Sequence, residues 1–295
     1  MNQRFLFPDL EKGTKEKPVN VASVPQRSPF RYPGGKTWLV PRFRQWMKSF
    51  QSVPQLMIEP FAGGGILSLT AAFENLAEKI LMVELDEQVA AVWKTILSKD
   101  IRWLIQRILS FELNVDSVRE ILSQKPMTTR ETAFRTLLKN RTAHGGILAE
   151  GAGIIKHGEN GKGLHSRWYP ETIARRIAAI ETVSEKIEFV QTDAIEVLEE
   201  YQLTEDVVFF IDPPYTAGGK HAGSRLYNHC RIDHAGLYSL CAKLNGDFLM
   251  TYDNAEEVRT LAEQHGFKTK AIPMKNTHHT KLNELLVGKK LDWAE

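Results

Sequence analysis

Residues 54–99 read PQLMIEPFAGGGILSLTAAFENLAEKILMVELDEQVAAVWKTILSK, and the order of elements in this stretch indicates the fold class. It begins with a short apolar run at 55–60, which predicts a buried strand, followed by a glycine turn at 61–65. The remaining patterns predict a helix at 66–76, a strand at 79–85 and an amphipathic helix at 86–99. This order is typical of the start of a doubly wound, Rossmann-like α/β sheet.

The strand and helix alternation resumes in the last third of the chain. Strands are predicted at 186–193, 207–215 and 247–254, helices at 194–201, 234–244 and 255–265, and a closing hairpin-like pair at 269–274 and 282–288. Between the two α/β halves, residues 101–180 show helical spacing at 101–109, 131–139 and 171–180, around a loop with seven glycines.

The predicted organisation is therefore an α/β domain interrupted by an insert. The α/β domain comprises residues 28–100 and 181–295, and the insert at 101–180 is a mostly helical subdomain. Residues 1–27 are polar with little periodicity, which predicts a loosely held arm.

Composition and charge restrict the class of protein. The 295 residues carry a formal net charge of +2, but residues 101–180 hold 13 Lys or Arg against 7 Asp or Glu, a net of +6. A basic segment on an otherwise acidic protein suggests a surface that binds a polyanion, although a solvated helix face has the same composition.

No stretch approaches the ~20 apolar residues that span a bilayer, and two cysteines are too few for a disulfide framework. We expect a cytoplasmic protein without a membrane partner.

The glycine turn at 61–65 is placed to bind a nucleoside. A glycine turn directly after a strand brings the backbone close to a ligand, and an acid about twenty residues later can bind ribose hydroxyls. Glu84 and Asp86 both end the second strand, and either can take this role. With no P-loop and no GxGxxG pattern, the combination predicts an adenosine-bearing ligand without pyrophosphate. Asp193 ends the third strand, where it can contact an adenine or cap the next helix.

The turn DPPY at 212–215 carries the predicted chemistry. It follows the buried strand at 207–211, and ligands of open α/β sheets bind at the carboxyl ends of strands. Each proline keeps the residue before it extended, so the Asp212 carboxylate and a backbone carbonyl are held as two acceptors beside the ring of Tyr215. This arrangement suits a planar amine with two N–H donors, such as the exocyclic amine of a nucleobase.

Three motifs together resemble the D12 class of adenine-N6 DNA methyltransferases, the Dam-like family. They are RYPGGK at 31–36, PFAGGG at 60–65 and DPPY at 212–215, in the family's order around a recognition insert. The resemblance implies a methyltransferase sheet and S-adenosylmethionine as cofactor, contacted by the following residues: Tyr32, Lys36, Phe61, Ala62, Gly63, Gly64, Gly65, Glu84, Asp193 and Asp212. It also implies a catalytic turn of Asp212, Pro213, Pro214 and Tyr215, and a bacterial or bacteriophage origin.

The insert is the predicted DNA-recognition region. Its candidate DNA-binding residues are Lys139, Asn140, Arg141 and Arg167, because Arg and Asn can bind base edges and Lys or Arg can bind phosphates. The expected partner is double-stranded DNA, bound by a monomer that flips the target base out of the duplex. Whether a cognate restriction endonuclease accompanies it stays open.

Two alternative functions remain at this point. An amino-group methyltransferase acting on cytosine N4 or RNA would use the same pocket chemistry, and an inactive nucleic-acid-binding relative would keep the same fold. We expect no metal, because His278 and His279 have no third ligand at suitable spacing.

Overall fold

A computed structural model describes residues 18–31, 35–149, 153–158, 161–214, 232–275 and 281–294. The described residues form one seven-stranded sheet with strand order β3-β2-β1-β4-β5-β7-β6. Its strands are β1 Leu56–Glu59, β2 Lys79–Val83, β3 Ile187–Val190, β4 Val207–Ile211, β5 Asp247–Asp253, β6 Lys268–Lys275 and β7 Lys281–Gly288. The strands β1 to β5 run parallel to one another, whereas β7 is antiparallel to both β5 and β6. The predicted Rossmann-like α/β sheet is confirmed.

Helices connect the strands of this sheet. They are α1 Val40–Lys48, α2 Ile66–Glu74, α3 Glu87–Ile96, α4 Ile101–Leu109, α5 Val115–Ser123, α6 Thr129–Thr142, α7 Pro170–Glu181, α8 Ala194–Glu200, α9 His234–Cys241 and α10 Glu256–Gln264. The helices α1 and α5 were not expected from the sequence pattern. Within the described ranges, no helix is both long and apolar enough to cross a membrane.

The sheet separates two apolar cores. Alternate side chains of β4 point to opposite faces, so Val208 and Phe210 pack in one core and Val207, Phe209 and Ile211 in the other. Side chains of α1, α2 and α3 pack in the first core, and side chains of α8 and α9 pack in the second. Every residue of β4 is buried, as its uninterrupted apolar run predicts.

The helices of residues 101–180 pack into the first core rather than against one another alone. Phe134 and Leu137 of α6 and Ile173 and Ile177 of α7 belong to the same cluster as Trp93 of α3. A capping box between Thr128 and Glu131 starts α6, which explains why the helix begins earlier than its apolar spacing indicates. The division of the chain at residues 101 and 180 stays a prediction.

Candidate functional site

A cavity of about 850 Å³ lies at the carboxyl ends of the parallel strands. This volume is within the range of about 300–1,000 Å³ that is usual for small-molecule sites. Acidic residues that end or follow strands line it: Glu59 after β1, Glu84 after β2, Asp193 after β3 and Asp212 after β4. The location is the one expected for ligands of an open α/β sheet.

The glycine turn has a backbone shape that glycine makes possible. Gly63 and Gly65 have φ angles of 46° and 61°, in the left-handed region that residues with a Cβ rarely adopt. The peptide of Gly63 is held on both sides, because its N–H donates to Glu84 Oε2 at 2.9 Å and its carbonyl accepts from Trp93 Nε1 at 2.9 Å. Phe61, Ala62 and Gly64 also line the cavity. Trp93, which the sequence pattern assigns to the core, therefore also positions the turn.

Glu84 and Asp86 have different tasks in the structure. The Asp86 carboxylate caps α3, where its Oδ1 accepts from the N–H groups of Gln88 at 2.8 Å and Val89 at 3.0 Å. Glu84 accepts from the N–H groups of Gly63 and Asp86, and both Glu84 and Asp86 line the cavity. Burial raises the pKa of Glu84 to about 7, against the lowering effect of its backbone hydrogen bonds. Each Glu84 oxygen accepts one backbone N–H and Asp86 caps through Oδ1, so both acids remain candidates for binding ribose, as the sequence predicts.

Asp193 serves as a helix cap at the edge of the cavity. Its Oδ1 accepts from the N–H of Ile195 at 2.8 Å, which caps the start of α8. The side chain is exposed and lines the cavity, so capping leaves it within reach of a ligand.

Asp212 is held by two partners that come from distant parts of the chain. Its Oδ1 accepts from Thr251 Oγ1 at 2.6 Å and lies 3.0 Å from Lys36 Nζ. Strand register explains the first contact: Ile211 of β4 pairs with Met250 of β5, so Asp212 and Thr251 follow side by side. Both bonds end on Oδ1, and among the described residues Oδ2 has no hydrogen-bond partner.

Lys36 also contacts a second acid that sequence reasoning missed. Its Nζ lies 3.4 Å from Glu284 Oε2, and both side chains are buried. Glu284 of β7 is the cross-strand partner of Asp253 of β5, and both carboxylates line the cavity. Burial raises the pKa of Glu284 to about 7, although Lys36 lowers it, and burial also raises the pKa of Asp253. The detectable signal in the sequence is a glutamate that directly precedes the apolar run LLV at 285–287.

Glu59 is a third buried acid that the sequence analysis did not single out. Its Oε2 accepts from the backbone N–H of Ser68 at 3.0 Å and from the Ser68 hydroxyl. Burial is the largest cause that raises the pKa of Glu59 to about 8. Glu59 thus joins the end of β1 to the first turn of α2, the two elements that the glycine turn connects.

The predicted DNA-binding residues of α6 lie in the interior. Asn140 is fully buried: its amide donates to the carbonyls of Arg31 at 3.0 Å and Gly146 at 2.8 Å, and accepts from the N–H of Arg31 at 2.8 Å. Arg141 is 8% exposed and donates to the carbonyl of Pro29. In this conformation Asn140 is not accessible to DNA, because it is used to hold the segment that precedes Lys36.

The other two predicted DNA-binding residues are half-buried. Lys139 Nζ donates to the carbonyl of Leu148 at 2.6 Å. Arg167 is close enough to Arg141 for its charge to lower the pKa of Arg141. Tyr32 and Tyr215, for which cofactor and target-base contacts are expected, lie outside the described residues. Within the described ranges, no group of three His, Cys, Asp or Glu side chains is arranged to bind a metal ion.

The side chains that line the cavity suit S-adenosylmethionine. The ligand is positively charged at sulfur and at its amino group, and it offers ribose hydroxyls as donors. Carboxyl groups of Glu84, Asp193 and Asp212 line the cavity and offer oxygen acceptors for hydroxyl and amino groups. The glycine turn leaves room for close approach of the backbone, and no pyrophosphate-binding loop is required.

Comparison with protein families gives one match. Residues 32–148 match the family model described as D12 class N6 adenine-specific DNA methyltransferase. The matched range includes the glycine turn, Glu84 and the whole of α6. No curated protein sequence matches the chain.

Solved structures of low identity were also compared. The precorrin-6y C5,15-methyltransferase from Geobacter metallireducens GS-15 is 11% identical over 84% of this chain and 85% of its own, with a TM-score of 0.36. A methyltransferase from Pyrococcus furiosus is 14% identical over 85% and 82%, with a TM-score of 0.36. The rRNA methyltransferase AviRa from Streptomyces viridochromogenes is 14% identical over 88% and 86%, with a TM-score of 0.37.

Proposed function

We propose that this chain, which carries a D12 class methyltransferase domain over residues 32–148, transfers a methyl group from S-adenosylmethionine to the N6 amine of adenine in DNA. That the chain is a methyltransferase follows from the family match. The cofactor, the acceptor atom and the DNA substrate are the parts of the proposal that need an experiment.

The observation that carries the proposal is the state of the Asp212 carboxylate. Lys36 and Thr251 both bind Oδ1, so the carboxylate cannot rotate without losing two polar contacts. Oδ2 is left as an acceptor in a cavity that also holds the acids suited to the cofactor. An acceptor held in one orientation beside a ligand site is what positioning of an amine requires.

The protein's own groups can prepare the amine for attack. The N6 lone pair of adenine is delocalised into the ring, which makes it a poor nucleophile. Asp212 Oδ2 and the carbonyl oxygen of Pro213 can each accept a hydrogen bond from one of the two N–H groups of this amine. These two hydrogen bonds favour a more pyramidal nitrogen, whose lone pair is more available. S-adenosylmethionine, when bound, supplies an electrophilic methyl group on a sulfonium.

Double-stranded DNA is the proposed partner of the insert. The target nitrogen is not accessible inside a duplex, so the base has to leave the stack to reach Asp212. The net charge of +6 in residues 101–180 supports binding of phosphates on this side of the molecule. We assign Lys139 and Arg167 to the DNA-facing set, and Asn140 to positioning of the cavity wall.

The proposal is tested by methyl transfer from labelled S-adenosylmethionine to unmethylated duplex DNA, followed by mass spectrometry of the nucleosides. We expect N6-methyladenine from the wild-type protein and at least a ~10²-fold lower rate from Asp212→Asn, because the variant loses the anionic acceptor. Asp206→Asn is the matched control: Asp206 is exposed and lies immediately before β4, at the other end of the same strand.

Each result has a defined meaning. Label in N4-methylcytosine would keep the amine chemistry and overturn the adenine assignment. Cofactor binding without label in DNA would overturn the DNA assignment and lead to RNA acceptors. Near-normal activity of a folded Asp212→Asn variant would contradict the role of the carboxylate.

A further inference from the structure

Two arginines from the insert line the cavity without a carboxylate partner. Arg141 comes from α6 and Arg176 from α7, and both are among the residues that enclose the cavity. Among the described residues, neither forms a salt bridge. Arg31 and Lys36 also line the cavity, and the other charged residues named above at this cavity are acids.

We infer that Arg141 and Arg176 form an anion-binding subsite in the cavity wall, which takes a carboxylate or phosphate group of a bound ligand. The inference rests on the proposed function, because it names the part of that site that binds the negative group of the cofactor or of the DNA. The Asp212 acceptor site binds an amine and does not serve this purpose.

The hydrogen bonds of both guanidinium groups are incomplete. Arg141 donates from Nη2 to the carbonyl of Pro29, and its buried Nε has no hydrogen-bond partner in the described part of the chain. Arg176 donates from Nη1 to the carbonyl of Ser28 at 3.1 Å. A guanidinium has five N–H donors in a planar fork that matches carboxylate and phosphate oxygens. Donors therefore remain for a ligand.

The local electrostatics also favour an anion. Burial and the neighbouring charges of Arg176, Arg31 and Arg167 lower the pKa of Arg141 to about 10. Burial lowers the pKa of Arg176 as well, with a further contribution from Arg175. The charges that contribute to these two shifts are arginines, and a buried positive charge without compensation is costly. A bound oxyanion would compensate this charge.

The two arginines are fixed in place by the segment before Lys36. Their bonds to Ser28 and Pro29 hold a stretch of backbone whose Ser28 hydroxyl donates to the carbonyl of Gly64 at 2.5 Å. The subsite is therefore built between the insert and the glycine turn, and its position does not depend on a ligand to order it.

The test compares Arg176→Gln with Arg175→Gln by calorimetry and by binding of a fluorescent unmethylated duplex. Arg175 is the exposed neighbour on the same helix and does not line the cavity. Its replacement therefore removes one positive charge at a position outside the cavity. We expect Arg176→Gln to weaken binding of S-adenosylmethionine or of the duplex about tenfold or more, since hydrogen bonds to charged groups are among the stronger ones. Arg175→Gln should bind like the wild type.

The two sources of the anion give different results. If the cofactor carboxylate occupies the subsite, the variant loses affinity for S-adenosylmethionine but not for decarboxylated S-adenosylmethionine. If a DNA phosphate occupies it, both cofactors bind normally, while duplex affinity falls and its log–log salt slope decreases by about one.

A merely structural role is separated from ligand binding by a third comparison. If Arg176→Gln loses only the hydrogen bond to Ser28, the melting temperature of the protein falls. The preference for S-adenosylmethionine over its decarboxylated form then stays unchanged, and so does the salt slope of duplex binding. That result, or equal affinities in Arg176→Gln and Arg175→Gln, would overturn the inference. Should Arg176→Gln not fold, Arg176→Lys keeps the charge but not the fork, and several-fold weaker binding is then expected. Methyl transfer by the wild-type protein tests the proposed function independently.

Discussion

Single carboxylates at the strand ends are used in distinct ways. Asp86 and Asp193 cap helices, Glu84 holds the glycine turn, and Asp212 is oriented by Lys36 and Thr251. The residue type is the same or nearly so in each case, but the hydrogen bonds that each accepts differ. Those bonds determine which oxygen remains available to a ligand and whether the group prefers to be charged.

Glu59 makes the stability of the protein depend on pH. A buried carboxyl with a pKa of about 8, compared with 4.5 for an ordinary glutamate, binds a proton more tightly in the folded state. Its contribution is fully present below about pH 4.5 and is lost as the pH rises through 8, on the order of a few kcal/mol in total. Glu59→Gln mimics the protonated form. We expect the wild type to lose stability between pH 5.5 and 8.5, and the variant to lose less, in urea unfolding at both pH values.

The control for this prediction is Glu188→Gln, which changes an exposed glutamate on β3. This variant should keep the pH dependence of the wild type. Identical pH slopes for wild type and Glu59→Gln would show that the folded protein carries Glu59 as an ordinary ionised carboxylate.

At the scale of elements, the turn between β1 and α2 requires glycine for two separate reasons. Gly65 has a positive φ, and a Cβ on it would lie 2.5 Å from Met82 Cε and 2.8 Å from Trp93 Cζ2. Gly266 also has a positive φ, of 71°, but a Cβ there would meet nothing within 4 Å. The two positions therefore separate backbone strain from steric overlap.

We expect Gly65→Ala to destabilise the protein by about 1–3 kcal/mol more than Gly266→Ala, because only the first combines strain with overpacking of Met82 and Trp93. Chemical denaturation of the two variants measures the difference. Equal losses would mean that Met82 moves aside at no cost, and that only the φ angle requires glycine.

A second element-scale feature is the link between α6 and the segment before Lys36. Asn140→Ala removes the three hydrogen bonds that its side chain makes with Arg31 and Gly146. We expect a loss of about 1–3 kcal/mol in stability, because buried backbone groups lose their partners. Hydrogen exchange at the Arg31 amide should accelerate, and cofactor affinity should fall as the cavity wall loosens.

Asn245→Ala is the comparison for this variant, since Asn245 is engaged with Leu203 on a different part of the chain. It should leave the Arg31 amide protected. Unchanged exchange at Arg31 in Asn140→Ala would contradict the positioning role.

On the scale of the whole molecule, charge is divided between the insert and the α/β domain. The insert carries a net of +6, whereas the acids concentrate at the strand ends that line the cavity. Arg102 on α4 is an example of an exposed insert cation, with 83% of its side chain accessible. This division is compatible with the proposed binding of a polyanion and of a positively charged cofactor.

We expect the two ligands to respond differently to salt. Between 50 and 200 mM KCl, affinity for a duplex should fall by at least about tenfold, because each phosphate contact releases counterions. Affinity for S-adenosylmethionine should change much less, since its contacts lie inside the cavity. Fluorescence anisotropy and calorimetry in matched buffers measure both, and a flat salt dependence for the duplex would argue against phosphate binding by the insert.

The sequence by itself determined the α/β sheet and the strand ends at which Glu84, Asp193 and Asp212 lie. These features depend on local periodicity and on turns between consecutive elements, which short stretches of sequence carry. The hairpin of β6 and β7 was likewise expected, although its insertion beside β5 was not. The helix α5 was not expected, although Val115, Val118, Ile121 and Leu122 have helical spacing, and of these only Val118 is fully buried.

Only the tertiary structure decided which distant residues meet. Asp212, Thr251 and Glu284 are brought together by the order and register of β4, β5 and β7, and Lys36 contacts Asp212 and Glu284 from the segment before α1. No local pattern in the sequence contains these contacts. Tertiary packing also placed Asn140 and Arg141 in the interior, although their types suggested a DNA-facing surface. The physical reason is that a polar residue is compatible with solvent or with the interior, and the partners that packing supplies determine which applies.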